Sequence, residues 1–368
     1  MKTKEAIAVY HFIPGDGPNA LIESISTTLK FQVKILTLYD IDKTVPSYCL
    51  ANNVEISSLG FQEKSLVRQF LKFGQFLQKE KPKLVFAHSF YPSLLCAIAR
   101  IFFWKTIFVP VRHHNRVHIL SANSKAILLD KIITKFTQHT VAVSDSVRET
   151  MIQEGSRKEK ISVIYNGLPR PRATYSIDRP AEVNRTYNLI ALGRIDWQKN
   201  YESMLRTIWK LRMDGLSVQL HILGGGNLEY LERLKLLQDE LGLSDCVFWL
   251  GRQSDIYSFL NESDLFLHTA VDEACPLVLI ETLMYGIPIT SSNLGGCKDV
   301  LRGFYDGCDP GDIEKFCQMI SDTLRNLNDS RAYAQSISSE AIDKFSPLLM
   351  QQRYSELSLK FLNDLKVC

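Results

Sequence analysis

The sequence of 368 residues lacks an apolar run that is long enough to cross a membrane. A transmembrane helix needs roughly 20 predominantly apolar residues. Residues 97–108, AIARIFFWKTIF, come nearest, but Arg100 and Lys105 interrupt them. The apolar run from Ala6 to Val9 is too short for the core of a signal peptide. We therefore expect a chain without a membrane span or a secretory leader.

The eight cysteines lack the spacing of a metal or redox motif, because no two of them form a CxxC pair. Several lie inside apolar segments. Such a sequence predicts free thiols in a reducing compartment. We therefore expect a cytoplasmic protein whose cysteines form no disulfide bonds.

Three short patterns that resemble cofactor or metal motifs are incomplete. The glycines that end at Gly226 do not continue into G-x-G-x-x-G. His114 and His118 have the spacing of zinc ligands on a helix, but no third ligand is evident. Asp40 and Asp42 form a D-x-D pattern, yet they lie away from the other candidate residues. We expect no metal site and no cofactor.

Positive charge is spread unevenly along the chain. Residues 1–180 hold 25 Lys and Arg against 14 Asp and Glu, whereas the remainder holds 18 against 26. The net charge of the whole chain is only +3. A basic first half fits an anionic partner such as a membrane surface or a nucleic acid, and it equally fits a solvated surface without a partner.

Short β-branched runs alternate with amphipathic runs in both halves of the chain. Strands that alternate with helices predict parallel βαβ units in an open α/β sheet. The predicted strands of the first half are residues 6–13, 33–38, 54–59, 84–89, 106–111, 139–144 and 161–167. Those of the second half are residues 187–193, 218–226, 246–251, 265–270 and 287–293.

The segment 168–186 separates these two series, because it holds three prolines and four arginines without an apolar face. An amphipathic run near the C-terminus predicts a last helix. The predicted domains are residues 1–170, a linker over 171–186, a second domain over 187–345 and a final helical segment over 346–368.

The stretch 272–281, DEACPLVLIE, holds two acidic residues in an apolar context. It follows the predicted strand 265–270, so Glu273 lies at the carboxyl edge of the sheet, where open α/β sheets bind ligands. Pro276 begins a helix that carries Glu281. The start of a helix favours an anion such as phosphate, whereas paired carboxylates favour sugar hydroxyls. The alternative is that either glutamate only complements the helix dipole.

Two cations follow the predicted strand 187–193. Arg194 and Lys199 lie on the loop that leaves this strand. Two cations at the carboxyl end of a strand are suited to holding a diphosphate. Basic loops are common, so Arg194 and Lys199 alone would be weak evidence for a diphosphate site. The presence of Glu273 and Glu281 at the same edge of the predicted sheet strengthens that interpretation.

These motifs resemble those of the family 4 glycosyltransferases, which are retaining enzymes of the GT-B fold. GRIDWQKN at 193–200 is similar to the diphosphate loop of that family, and E-x7-E at 273–281 is similar to its signature. The resemblance covers most of the chain, and it is specific after residue 187 and looser before it. It implies an α/β protein of two Rossmann-like, doubly wound domains that face each other across a cleft, with a C-terminal helix that crosses back to the first domain.

The resemblance also implies roles for individual residues. Arg194 and Lys199 would neutralise the departing diphosphate. Glu273 would bind hydroxyls of the donor sugar, and Glu281 would hold those of the ribose. The main chain of the glycine turn at Gly15 and Gly17 would approach the donor closely. The backbone around Cys275 and Leu277 would contact the donor sugar, and the backbone at Gly251 and Arg252 would contact the nucleobase.

The family also keeps a histidine on the first domain that faces the reacting carbon. VRHHNRVH offers His113, His114 and His118, and alignment of the preceding strand favours His113 over His114. His88 would line the acceptor side or serve as a structural histidine. The chain departs from the family pattern after Glu273, where Ala-Cys-Pro replaces the frequent Gly-Phe-Gly. This departure leaves the donor sugar open.

The resemblance implies a retaining hexosyltransferase. It would move a sugar from a nucleoside diphosphate sugar, with a UDP-sugar favoured over a GDP-sugar, to a hydroxyl of a glycan or lipid-linked glycan of cell-surface polysaccharide or lipopolysaccharide. No divalent metal is expected, because Arg194, Lys199 and the helix start supply positive charge. The apolar and basic segment 99–105, ARIFFWK, predicts peripheral contact with anionic lipid on the cytoplasmic face, and we expect no nucleic-acid partner.

Two alternatives remain open from the sequence. A nucleotide-sugar 2-epimerase of the same fold would convert the donor without an acceptor. An inactive GT-B partner subunit would bind a sugar nucleotide or glycan without turnover, although such a subunit has no need of four converging charges.

Overall fold

The computed structural model of the chain describes residues 6–10, 33–39, 55–62, 65–114, 124–176 and 185–367. Contacts divide the chain into two compact units, Met1–Pro169 with Phe345–Cys368, and Arg170–Lys344. Predictions that fall on Gly15, Gly17, His118, Asp40 and Asp42 lie outside the described residues.

The described residues of the first unit form a parallel sheet of seven strands. Its order is β3-β2-β1-β4-β5-β6-β7, so the winding reverses between β1 and β4, as in a doubly wound sheet. The strands are β1 (Ala6–Tyr10), β2 (Val33–Thr37), β3 (Glu55–Ser58), β4 (Leu84–His88), β5 (Ile107–Arg112), β6 (Thr140–Ala142) and β7 (Ile161–Val163).

Helices connect these strands. In the first of them, Gln69, Phe73 and Leu77 are spaced four residues apart, so they share one face and are buried against the sheet. It ends at Glu80, two residues before Pro82, because a residue before proline avoids the helical conformation. The helices are α1 (Leu66–Glu80), α2 (Phe90–Ala99), α3 (Ser124–Phe136) and α4 (Asp145–Gln153).

The second unit holds a five-stranded parallel sheet with the order β10-β9-β8-β11-β12. Its strands are β8 (Tyr187–Leu192), β9 (Val218–Leu223), β10 (Val247–Gly251), β11 (Leu265–His268) and β12 (Ile289–Ser291). Its helices are α5 (Tyr201–Met213), α6 (Leu228–Glu240), α7 (Ile256–Glu262), α8 (Leu277–Tyr285), α9 (Gly295–Leu301), α10 (Ile313–Arg325) and α11 (Leu327–Lys344). The prediction of an α/β protein with parallel sheets is confirmed.

The final helix, α12 (Pro347–Val367), belongs to the first unit. The ring of Tyr354 packs edge-on against Phe86 of β4, with the ring centroids 5.2 Å apart. Tyr354 is 2% exposed. The predicted return of the C-terminal helix to the first domain is therefore confirmed.

A buried ion cluster ties the segments of the second unit together. Arg331 of α11 donates to the carboxylate of Asp264 at 2.7 Å, and Arg185 donates to the same oxygen at 2.6 Å. The Tyr175 hydroxyl accepts from Arg331 at 3.2 Å. Tyr175 lies in the segment predicted as a linker, yet it is 1% exposed. This cluster anchors the entry of the chain into the second unit.

None of the helices among the described residues is long and apolar enough to cross a membrane. Six cysteines lie among the described residues, and all are buried and outside disulfide bonds; they are Cys96, Cys246, Cys275, Cys297, Cys308 and Cys317.

We expect Arg331→Met to lower the free energy of unfolding by about 3 kcal/mol, because it leaves the buried Asp264 with one cation fewer. Urea unfolding followed by tryptophan fluorescence measures this change. Arg325→Met is the matched control, since Arg325 is largely exposed and lies 3.8 Å from Asp322. Equal destabilisation by the two substitutions would contradict a structural role for the cluster.

Candidate active site

The second sheet reverses its winding between the neighbouring strands β8 and β11. Open α/β sheets bind ligands beyond the carboxyl ends of their strands at such a reversal. The loop after β8 carries Arg194 and Lys199, and the loop after β11 carries Glu273. The sequence-predicted charges of these two loops thus lie at the position where the fold binds ligands.

Hydrogen bonds fix these two loops against each other. The Thr269 hydroxyl lies 3.0 Å from the carbonyl oxygens of both Lys199 and Asn200. The Asn200 side chain donates back to the Thr269 carbonyl at 3.2 Å. The N–H of Val271 donates to the Gln198 carbonyl at 2.9 Å. The main chain therefore sets the separation between the two loops.

Lys199 and Glu273 form an ion pair across this junction. Their side chains are only 16% and 18% exposed, so solvent weakens the pair little. The Lys199 side chain also lies against Gly193, where an added Cβ would be 3.1 Å from the Lys199 Cε. An ammonium has three donors, so Lys199 keeps donors for a further anion while it binds Glu273.

The charge of Glu273 is strongly stabilised. Burial alone would raise the pKa of Glu273, but the Lys199 ammonium and the His268 ring outweigh burial and lower that pKa to about 2. Nε2 of His268 lies 3.8 Å from the Glu273 carboxylate. Glu273 is therefore ionised at neutral pH and acts as a hydrogen-bond acceptor only.

His268 is a site residue that sequence reasoning missed. It is 3% exposed, and burial lowers its pKa, so its ring is neutral at neutral pH. Its Nδ1 faces the Ser291 hydroxyl at 3.3 Å and the Cys297 thiol at 3.7 Å. The signal was weak, because a histidine within the strand letters LFLH has the pattern of an ordinary core residue.

Arg194 differs from Lys199 in its surroundings. Its side chain is 52% exposed, and its Nε lies 3.5 Å from the Asp196 carboxylate on the same loop. The guanidinium therefore stands at the solvent side of the loop, where it can meet a mobile anion.

Glu281 lies on α8, and its environment differs from that of Glu273. The Tyr257 hydroxyl of α7 donates to the Glu281 carboxylate at 2.9 Å. Burial raises the pKa of Glu281, and the Tyr257 hydrogen bond lowers it, with burial dominant. Tyr257 was not predicted, since no spacing in the sequence relates it to Glu281. The two glutamates of the motif therefore titrate in different pH ranges.

The start of α8 lies between the two glutamates. Pro276 precedes the helix and supplies no side-chain cap to its first turn, which begins at Leu277. Cys275 is 8% exposed. The N–H of Gly296 donates to the Glu273 carbonyl at 2.7 Å, which fixes the main chain before this turn. The uncapped first turn is suited to an anion.

The predicted base-side residues lie at the end of β10. Gly251 has a φ of 67°, and its carbonyl accepts from the N–H of Gly224 at 2.8 Å. An added Cβ on Gly224 would lie 1.8 Å from the Gly193 carbonyl oxygen, so only glycine fits there. The Arg252 side chain lies over Gly225, where an added Cβ would be 3.2 Å from Nε of Arg252.

In the first unit, His113 pairs with His88. Nδ1 of His88 lies 3.1 Å from Nε2 of His113, at the carboxyl ends of β4 and β5. Burial lowers the pKa of His113 to about 4, with a further contribution from His114. Burial also lowers the pKa of His88 well below its usual value. Both rings are therefore neutral at neutral pH.

His114 is engaged elsewhere. Its carbonyl accepts from Nε of Arg112 at 3.1 Å, and its ring lies 3.6 Å from the Asp130 carboxylate. Arg112 itself is buried between Asp130 at 3.0 Å and Glu154 at 2.6 Å. These contacts hold His114 in a structural network. The sequence-based preference for His113 stays a prediction, and these contacts favour it.

Two family models match consecutive parts of the chain. Residues 176–339 match the model described as "Glycosyl transferases group 1", and residues 44–170 match the one described as "Glycosyltransferase Family 4". The two matches fall on the two units and together cover 291 of the 368 residues. Each unit is therefore similar to a domain of the glycosyltransferases.

Curated relatives are similar over part of their length. The lipopolysaccharide 1,6-galactosyltransferase of Salmonella typhimurium is 26% identical over 232 residues, which cover 60% of this chain and 61% of that protein. The enzyme of the same name from Escherichia coli K12 is 29% identical over 196 residues, 49% of this chain and 51% of that protein. The chain thus spans 51% to 61% of these relatives.

Solved structures share the fold over nearly the whole chain. Alr3699/HepE of Anabaena, in complex with UDP and glucose, has a TM-score of 0.81 at 16% identity and covers 96% of this chain and 99% of its own. The apo lipopolysaccharide outer core galactosyltransferase WaaB has a TM-score of 0.73 at 20% identity, with 98% of both chains covered. Together with the two doubly wound sheets, these likenesses confirm the predicted GT-B fold.

We expect Glu273→Gln to remove stability that depends on pH. Because folding lowers the pKa of Glu273 to about 2, its ionised form stabilises the protein above about pH 4.5, and this contribution is lost as the pH falls through the folded-state pKa. The wild-type protein should exceed the variant by on the order of 2 kcal/mol at about pH 6, and by less at about pH 3.

Urea unfolding at the two pH values measures this difference. The exposed Glu232→Gln is the matched control, since its carboxylate is 71% exposed. A difference between wild type and Glu273→Gln that does not change with pH would show that Lys199 does not hold the Glu273 charge.

Proposed function

We propose that this protein is a retaining glycosyltransferase that moves a sugar from a UDP-sugar to a hydroxyl of a glycan or lipid-linked glycan. The observation that carries the proposal is the Lys199–Glu273 ion pair between the loops after β8 and β11. It sets a cation for phosphate oxygens directly beside an acceptor for sugar hydroxyls. A sugar nucleotide presents these two chemical groups next to each other.

Lys199 and Arg194 serve the departing diphosphate in this proposal. The largely buried Lys199 ammonium is held in place before the reaction, so it stabilises developing negative charge without rearrangement. The half-exposed Arg194 adds a planar guanidinium that can bind two phosphate oxygens at once. Two cations and the first turn of α8 supply the charge that a divalent metal would otherwise supply, so we propose a metal-independent reaction.

Glu273 and Glu281 serve hydroxyl groups in this proposal. An ionised carboxylate accepts hydrogen bonds from two neighbouring hydroxyls, which sugars and ribose both present. Glu273 is ionised at neutral pH because burial, which alone would raise its pKa, is outweighed by the attraction of the Lys199 ammonium. Glu281 is oriented by Tyr257 at 2.9 Å. We place the donor sugar at Glu273 and the ribose at Glu281.

We propose that configuration is retained because the acceptor attacks on the face from which the diphosphate leaves. Glu273 is bound to Lys199, which lowers its nucleophilicity and favours its use as a hydroxyl acceptor. Catalysis then rests on positioning the two substrates and on stabilising the leaving group.

The relatives support the choice of donor and acceptor. HepE was solved with UDP and with UDP-glucose, which supports UDP as the nucleotide. The relatives named for lipopolysaccharide and O-antigen biosynthesis support a cell-surface glycan as the acceptor. We propose that the protein acts in the cytoplasm, where such donors are made.

UDP should raise the melting temperature of the protein more than GDP or ADP at equal concentration, because only a bound ligand stabilises the folded state. Thermal unfolding with each nucleotide measures this effect. Arg194→Ala should reduce the shift, since it removes one phosphate contact, whereas Arg233→Ala on α6 is the control. Absence of a shift with all three nucleotides would overturn the proposed function.

Lys199→Ala and Glu273→Ala should each lower turnover at least about 100-fold, the scale of a lost electrostatic contact in the transition state. Release of UDP from a UDP-sugar in the presence of acceptor measures turnover, and it should persist with EDTA. The NMR signal of the anomeric proton should show that the product has the same anomeric configuration as the donor.

Lys235→Ala is the matched control, because Lys235 is half-exposed on α6 and its ion pair among the described residues is with Glu232 in the same helix. Wild-type turnover in a folded Lys199 or Glu273 variant would contradict the site. Conversion of the donor without an acceptor would instead identify an epimerase.

A further inference from the structure

A surface of the first unit exposes large apolar side chains beside basic ones. It is formed by the first turns of α1 and by the loop after α2, and we name it the apolar–basic patch. Its apolar members and their exposed fractions are Leu66 (42%), Val67 (68%), Leu71 (56%), Ile101 (65%), Phe102 (66%) and Trp104 (69%). Soluble proteins rarely expose so many neighbouring apolar side chains without a partner.

Aromatic contacts hold the two elements of the patch, α1 and the loop after α2, together. The rings of Phe70 on α1 and Phe102 on the loop are 5.8 Å apart. Phe103 points the other way and packs against the core of the unit. Nη1 of Arg100 donates to the Trp104 carbonyl at 2.9 Å, which closes the loop. Phe102 and Trp104 are therefore presented outward by an ordered loop.

The charge around the patch is mostly positive. Between Lys64 and Asp130 the sequence contains a single acidic residue, Glu80, and its carboxylate lies 3.2 Å from the ammonium of Lys34. The Lys105 ammonium lies 5.1 Å from the centre of the Trp104 ring. The exposed basic residues of this region are Arg68, Lys79, Lys81, Lys83 and Lys105.

We propose that the apolar–basic patch docks the protein on the surface of an anionic phospholipid bilayer. Tryptophan and phenylalanine rings insert at the level of the lipid headgroups, and lysine and arginine beside them attract anionic lipid. A second copy of the chain is a poorer partner for the patch. A two-fold symmetric contact would place the basic patches of the two copies against each other, and their charges would repel.

The docking itself follows from the patch and does not depend on the enzymatic reaction. That it would bring the enzyme to a lipid-linked acceptor rests on the proposed function. The loop that bears Phe102 and Trp104 joins α2 to β5, and β5 leads at its other end to His113. The patch and His113 therefore lie at opposite ends of the same strand.

Flotation of the full-length protein with phospholipid vesicles tests the proposal. Wild-type protein should bind vesicles of phosphatidylcholine with about one third phosphatidylglycerol, and it should bind pure phosphatidylcholine much more weakly. The double substitution Phe102→Ser with Trp104→Ser should lower the partition coefficient at least about tenfold. Arg68→Glu with Lys105→Glu should lower binding to the anionic vesicles alone.

The double substitution Leu228→Ser with Leu236→Ser is the matched control, because these α6 side chains are 76% and 69% exposed but belong to the second unit. It should leave binding unchanged. Circular dichroism checks that each variant is folded, and the thermal shift with UDP separates this test from that of the proposed function.

Three outcomes would overturn the docking proposal. In the first, the Phe102 and Trp104 variant binds anionic vesicles as tightly as the wild type. In the second, the wild type does not distinguish anionic from neutral vesicles. In the third, the wild type is a dimer in sedimentation, and the Phe102 and Trp104 variant is a monomer with unchanged vesicle binding, which would assign the patch to a second copy.

Discussion

The ion pair between Lys199 and Glu273 is the interaction on which the candidate site depends. Removing two charges from water is costly, and their attraction offsets this cost only when the geometry is held by other contacts. Here Thr269 and Asn200 supply those contacts, since their hydrogen bonds join the two loops independently of the charges. The fold consequently holds the Lys199 ammonium in place, and under the proposed function it would be positioned before negative charge develops on the leaving group.

The topology of the second sheet explains why these groups meet. Strands β8 and β11 are far apart in the sequence, but they are neighbours in a sheet whose winding reverses between them. A reversal sends the connecting helices to opposite faces and leaves the two loops at the carboxyl edge facing the same space. The close approach of Gly224 to the Gly193 carbonyl then keeps the turn after β9 tight against the loop after β8. The site is thus a property of the strand order as much as of the charged residues.

The sequence predicted the strands, most helices and the loop positions of Arg194, Lys199 and Glu273, because these depend on local periodicity and on residues next to a strand end. It did not predict His268, whose pattern is that of a core residue, or the hydrogen bond from Tyr257 to Glu281. The contacts of His268 with Ser291 and Cys297, like that of Tyr257 with Glu281, join residues that are distant in the sequence, and periodicity carries no information about them. The cluster of Arg331 and Asp264 was not predicted for the same reason. Its third member, Tyr175, lies in a segment that was predicted as a linker from its composition.

The two histidines at the end of β5 show how packing separates residues that the sequence leaves equivalent. His114 is bound into the buried network of Arg112 and Asp130, whose charges fix its position. His113 instead faces His88, and burial keeps both rings neutral by lowering their pKa values. A neutral imidazole can accept a hydrogen bond from a hydroxyl or donate one to it without adding charge to the site. Burial opposes protonation of either ring, and once one ring is protonated its charge also opposes protonation of the other.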